Sequence, residues 1–133
     1  MKVFVSMKIP RGDSELLRFA VMVTEVIHQA GFIPFIATDE ITKRNLTDPN
    51  EFMPFVRRHV ETSDLMIVLN HPGLRGGLIE LGIAYANDIP VWLCNQSGQR
   101  VSSSAVGCAE LTIEFNDYED LMQQLRVHLL CFN

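Results

Sequence analysis

Leu65-Met66-Ile67-Val68-Leu69, followed by Asn70-His71-Pro72-Gly73-Leu74-Arg75-Gly76-Gly77-Leu78-Ile79-Glu80-Leu81-Gly82-Ile83-Ala84-Tyr85-Ala86, is the stretch from which the fold can be read. The first five residues form an unbroken apolar run between polar neighbours, the pattern of a strand buried on both faces of a parallel sheet. A glycine-rich loop then opens a helical pattern over residues 78–87. A central strand running through a loop into a helix is the unit from which sheets covered by helices are built.

The same unit recurs on both sides. Upstream, residues 2–6 read as a short apolar strand, and a polar turn over residues 8–13 leads into a stretch where Leu16, Leu17, Ala20, Val23, Val26 and Ile27 recur at helical spacing. Gly31 stands where a left-handed cap closes that helix, predicted over residues 13–30. Residues 32–37 are a second strand, and the polar residues 38–50 read as a mobile loop over the sheet. Asp48, Pro49 and Glu51 make a capping-box pattern for a helix that ends before Asp64. Downstream, residues 90–93 are a strand, residues 97–104 a serine-rich loop and residues 111–115 an edge strand. Asp117 caps a final helix carrying Leu121, Leu125, Val127, Leu129 and Leu130.

Five strands alternating with helices, without repeat or linker, predict one α/β domain over residues 1–133. The expected form is a five-stranded parallel sheet with helices on both faces, doubly wound in the flavodoxin or Rossmann manner. Ligands of such sheets collect at the carboxyl ends of the strands, here residues 6–12, 38–39, 70–77 and 94–98.

Composition narrows the function. The 133 residues are 47% hydrophobic and 20% charged, which suits one hydrophobic core and excludes a disordered chain. A formal charge of −5 offers no basic field for wrapping a nucleic acid. Arg57-Arg58 reads as a solvated helix face. No apolar run approaches the ~20 residues that span a bilayer, and the amino terminus runs straight into a strand, so no membrane partner and a cytoplasmic location are expected. Cys94, Cys108 and Cys131 are odd in number and lack paired spacing, so buried free thiols are expected. His28, His59, His71 and His128 show no metal-ligand spacing, and neither metal nor cofactor is expected.

The glycine loop carries the chemistry. Glycines let backbone N–H groups approach a ligand closely, and a helix amino terminus favours an anion or sugar oxygens. Glu80, read as lying in the first turn, is expected to be held ionised by the helix dipole, as a glycosyl nucleophile requires. On spacing alone the same carboxylate could simply balance the dipole while the glycines make a tight turn.

Ser63-Asp64 before the apolar strand, the glycine loop and Glu80-Leu81-Gly82-Ile83-Ala84-Tyr85-Ala86 resemble the nucleoside 2-deoxyribosyltransferase-like superfamily, with one extra residue near Arg75. Within it the chain is most similar to the 2′-deoxynucleoside 5′-monophosphate N-glycosidases. Gln96-Ser97-Gly98 through Ser102 to Gly107-Cys108-Ala109 resembles the loop that reaches the phosphate of a neighbouring subunit's ligand, and Arg11-Gly12 resembles the phosphate-contacting turn.

The resemblance implies that Glu80 attacks the anomeric carbon of a nucleoside or nucleotide and the free base leaves. It implies that Arg11, the Gly12 amide and Ser102 hold a monophosphate, with Ser102 acting across a homodimer or higher even oligomer; Ser6, Asn70, Gly73, Gly76 and Gly77, at the carboxyl ends of the strands, are the other expected substrate-binding residues. One departure stands out: Val56 occupies the place of a family aspartate that positions the sugar or assists the leaving base. His59, Asp39 and His71 are the residues that could stand in for it. The departure keeps open a second reading, a nucleotide-binding or sensing module with weak or no turnover, and a third, a subunit used mainly for protein interaction.

Overall fold

The computed structural model describes residues 1–8 and 12–132. In chain order the elements are β1 (Lys2–Ser6), α1 (Ser14–Gln29), β2 (Ile33–Ile36), α2 (Ala37–Lys43), α3 (Pro49–Glu61), β3 (Leu65–Leu69), α4 (Gly76–Ala86), β4 (Val91–Gln96), α5 (Ser103–Cys108), β5 (Leu111–Phe115) and α6 (Tyr118–Cys131). They form a single α/β domain whose sheet has the order β2-β1-β3-β4-β5 with every pair parallel. After β2 the chain crosses back over β1 to build β3, so the winding direction changes between β1 and β3. That switch opens a crevice at their carboxyl ends.

Strand periodicity assigns the two faces. Val3 and Val5 of β1, with Leu65, Ile67 and Leu69 of β3, pack under α1 and α6. The alternate residues, Phe4, Met66 and Val68, pack under α3, α4 and α5. Ser6 follows Phe4 by two positions, so the pleat sends its hydroxyl to the α4 side. The β3 run is buried at all five positions, as its unbroken apolarity predicts.

Local chemistry sets the helix ends. Asp13, Asp48 and Asp117 cap α1, α3 and α6 by accepting from the N–H groups of Leu16, Asn50 and Asp120. The capping box of α3 is half made, because Glu51 returns no bond to Asp48 among the described residues. Gly31 adopts φ +88 after α1, the left-handed position glycine is suited to.

Three expectations are corrected. Residues 38–50 are not one loop: α2 follows β2 without a turn, stabilised by the pairs Lys43–Asp39 at 2.9 Å and Arg44–Glu40 at 3.7 Å and closed by Asn45 at φ 54. The serine-rich loop gives way to α5 at Ser103, with the Ser102 hydroxyl accepting from the Ala105 N–H at 3.4 Å. Of the three free cysteines only Cys94 is buried, and burial pushes its thiol up to about 12, whereas Cys108 is half-buried and Cys131 exposed. No helix of the described chain is long and apolar enough to cross a membrane.

Candidate active site

A cavity of about 280 Å³ opens at the β1/β3 switch point. It is walled by the end of β1 (Ser6, Met7, Lys8), the start of α2 (Ala37, Thr38) and the glycine loop running into α4. Helical spacing places Glu80 there: Gly77, Leu81 and Ala84 are buried on the inner face of α4, and Glu80, one turn after Gly77, shares that face. Gly77 fits tightly, since a Cβ at that position would lie 2.5 Å from Ser6 Oγ and 2.7 Å from Leu74 Cδ1. Lys8 crosses Gly73 in the same way, 2.7 Å from where a Cβ would sit.

Among the described residues, Glu80 Oε2 is buried without a hydrogen-bond partner, and so is Thr38 Oγ1. Both residues line the cavity. Two unsatisfied buried polar atoms in one small space are costly and uncommon, and a ligand carrying hydroxyl or amide groups would satisfy them. Burial pushes the Glu80 carboxyl up to about 7, and the neighbouring Ser6 hydroxyl offsets part of that rise. This corrects the expected electrostatics. α4 begins at Gly76, so Glu80 stands in its second turn, beyond the strongest reach of the dipole, and desolvation outweighs it.

The structure gathers Ser6, Gly73, Gly76, Gly77 and Glu80 around one cavity and leaves the other expected residues elsewhere. Asn70 donates to Asn95 Oδ1 at 2.8 Å and to the Arg100 carbonyl at 3.0 Å, facing a separate cavity of about 370 Å³. Gly12 makes an exposed turn at φ +82, and Ser102 caps α5 and does not line the Glu80 cavity. Arg11 lies outside the described residues. Among the described residues no group of three or more His, Cys, Asp or Glu side chains is placed to hold a metal.

None of the three stand-ins for the aspartate reaches Glu80. Val56 itself is only 2% exposed, sealed in the core beneath the sheet. His59 stacks on Phe35 at 4.0 Å, with Nδ1 2.9 Å from Lys2 Nζ at the amino edge of the sheet. Asp39 pairs with Lys43 on the surface. His71 Nδ1 accepts from the Gly73 N–H at 3.1 Å and faces the 370 Å³ cavity. The residues that sequence reasoning missed are Thr38 and Lys8. The carboxyl ends of β2 and β1 were the signal for them, and the misread α2 concealed the first.

The fold is shared with solved structures of an N-glycosidase and a 2-deoxyribosyltransferase. Among solved structures, the chain is similar to the CMP N-glycosidase BcmB of Clostridium botulinum, with a TM-score of 0.76 at 15% identity over 96% of this chain and 99% of that one. BlsM follows with a TM-score of 0.73 at 17% identity over 98% and 90% of the two chains. The 2-deoxyribosyltransferase of Bacillus psychrosaccharolyticus has a TM-score of 0.68 at 19% identity over 94% and 96%. At such identities the likeness is one of fold, and chemistry has to be argued from the site. No family model matches the sequence, and no curated protein matches it.

Proposed function

We propose that the protein cleaves the base–sugar bond of a nucleoside 5′-monophosphate, or transfers its sugar, through a glycosyl ester on Glu80. The observation that carries this reading is the Glu80 carboxyl itself, with one oxygen buried and unpartnered in a sugar-sized cavity at the switch point. The N-glycosidase and deoxyribosyltransferase that share its fold perform related chemistry. In the first half-reaction a Glu80 oxygen bonds to C1′ as the C1′–N bond breaks, and in the second, water or another base takes the sugar. Gly73, Gly76 and Gly77 let the substrate approach the backbone, while Arg11, Gly12 and Ser102 are the residues proposed for the phosphate.

Incubation with a panel of ribo- and deoxyribonucleoside monophosphates, followed by chromatography for free base, tests the reading. Base release that persists in Glu80→Gln would remove the nucleophile. Because an ionised carboxylate must attack, kcat/KM should rise with pH and level off above about 7, where burial sets the Glu80 carboxyl of the free protein. A flat profile between roughly pH 5.5 and 8.5 counts against that assignment.

The proposed assembly is a homodimer through α4 and α5. Ile79 and Tyr85 are 57% and 58% exposed, and Leu78 and Val106 are also exposed, so this face is apolar and uncovered. Gly82, with nothing within 4 Å of its Cβ position, permits close approach of a second helix. Ser102 caps α5 beside this face, from which it would reach the partner's cavity. Ile79→Glu should convert dimer to monomer in sedimentation equilibrium; a wild-type chain that sediments as monomer at micromolar concentration refutes the assembly.

The burial of Val56 favours one alternative, a nucleotide-binding module with weak turnover. Thermal stabilisation by nucleotides without base release would select it.

A further inference from the structure

Two features of the Glu80 cavity concern charge and protons separately, and they point to the same ligand. The first is a missing counterion. Among the described residues the ion pairs are Lys43–Asp39, Arg44–Glu40 and Arg57–Glu61, all on helix surfaces, and no cation is within ion-pair distance of Glu80. Lys8 and Arg75 line the cavity but are exposed side chains that make no such contact. With Oε2 unpartnered among the described residues, the ionised form of Glu80 is favoured by a positive charge brought in with the ligand.

The second feature is a missing acid. Glu80 is the one carboxyl group among the described residues lining the cavity; the Ser6 and Thr38 hydroxyls are too weakly acidic to protonate a departing base, and the Lys8 ammonium is on an exposed side chain laid across Gly73. The place where the family resemblance implies an aspartate is filled by Val56, sealed in the core. Expelling a neutral nucleobase calls for a proton on the leaving ring, help worth about 10² to 10⁴ in rate. A ring already quaternised at its glycosidic nitrogen needs no proton, and it carries the absent positive charge.

We infer that this site takes an N-glycoside whose leaving group is a cationic heteroaromatic ring, an N-ribosylpyridinium 5′-phosphate in its simplest form. The inference rests on the reading of Glu80 as nucleophile. A Glu80 oxygen forms a bond to C1′ as the C1′–N bond breaks, and the electron pair of that bond stays on nitrogen, so the pyridinium leaves as a neutral pyridine. Water then bonds to C1′, the ester C–O pair returns to the carboxylate, and the proton of the water passes to solvent. One water is consumed and one proton released, with no acid used. Met7, Ala37 and Leu74 supply an apolar wall for the ring, and the unpartnered Thr38 hydroxyl is free to bond a polar ring substituent such as a carboxamide. A cation beside Glu80 also opposes the effect of burial and keeps the nucleophile ionised at neutral pH.

The test uses the whole chain with three nucleotides: nicotinamide mononucleotide, its dihydro form, which has nearly the same shape but an uncharged ring, and cytidine 5′-monophosphate. Free base is read by chromatography. Release from the pyridinium nucleotide should be at least about 100-fold faster than from either neutral one and should vanish in Glu80→Gln. A smaller ratio, with release that depends on Glu80, overturns the inference and leaves the nucleophile standing. Release from none of the three, or release that survives Glu80→Gln, overturns both.

Discussion

Glu80→Gln should make the ligand-free protein more stable at pH 8 while lowering base release by about 10³-fold or more. The two effects share one cause. Folding buries the carboxyl and raises it from the ordinary 4.5 to about 7, chiefly by desolvation. Its contribution to stability is therefore fully present below the unfolded value and is lost as pH rises through about 7. Above that pH the native state holds a buried, uncompensated charge. At ~1.4 kcal/mol per pH unit the penalty has an upper bound of about 3 kcal/mol. A neutral glutamine of the same shape avoids it, so the melting temperature at pH 8 should rise by up to roughly 10 °C. Near pH 4, below the unfolded value, where the carboxyl is mostly protonated in both states, the two proteins should melt together. Calorimetry at both pH values checks this, and a gain of equal size at both would assign the effect to packing instead. Stability given up at one buried group is what a preorganised site costs.

Gly77→Ala is expected to damage fold and site together. The added methyl would lie 2.5 Å from Ser6 Oγ and 2.7 Å from Leu74 Cδ1, both buried, so α4 must move away from the end of β1. Such overpacking costs about 1–3 kcal/mol. Because Glu80 sits one turn along the same face, displacement of α4 also widens the cavity and should reduce base release. Gly76→Ala is the control one residue earlier. Nothing lies within 4 Å of its Cβ position, so it should be neutral or stabilise by up to ~1 kcal/mol. Urea midpoints of the pair measure the difference; equal midpoints would show that the contact with Ser6 and Leu74 relaxes without cost.

The opposite surroundings of these adjacent glycines show where local reading ends. In the sequence Gly76 and Gly77 are one feature, a glycine pair opening a helix, and only the approach of β1 from elsewhere in the chain separates them. The same holds for α2. A seven-residue helix is marginal by itself, and residues 38–50 carry no long apolar period to announce it. It forms where Ala37 docks into the core, and that docking brings Thr38 to the cavity. The i,i+4 charge pairs Asp39–Lys43 and Glu40–Arg44 were the legible trace.

By itself the sequence determined the alternation of strands and helices, the central place of residues 65–69 and the caps at Asp48 and Asp117. Each of these follows from side chains within a few residues of one another. It also pointed to Glu80, because a carboxylate just after a glycine loop is a local pattern. Tertiary structure alone decided that Ser6, Thr38 and Glu80 meet while Asn70 and Ser102 face elsewhere, that Val56 is sealed in the core, and that Glu80 is poised near neutrality instead of held ionised. The reason is physical: desolvation depends on every atom that excludes water, and those atoms come from β1, α2 and α4, which only the folded sheet brings together.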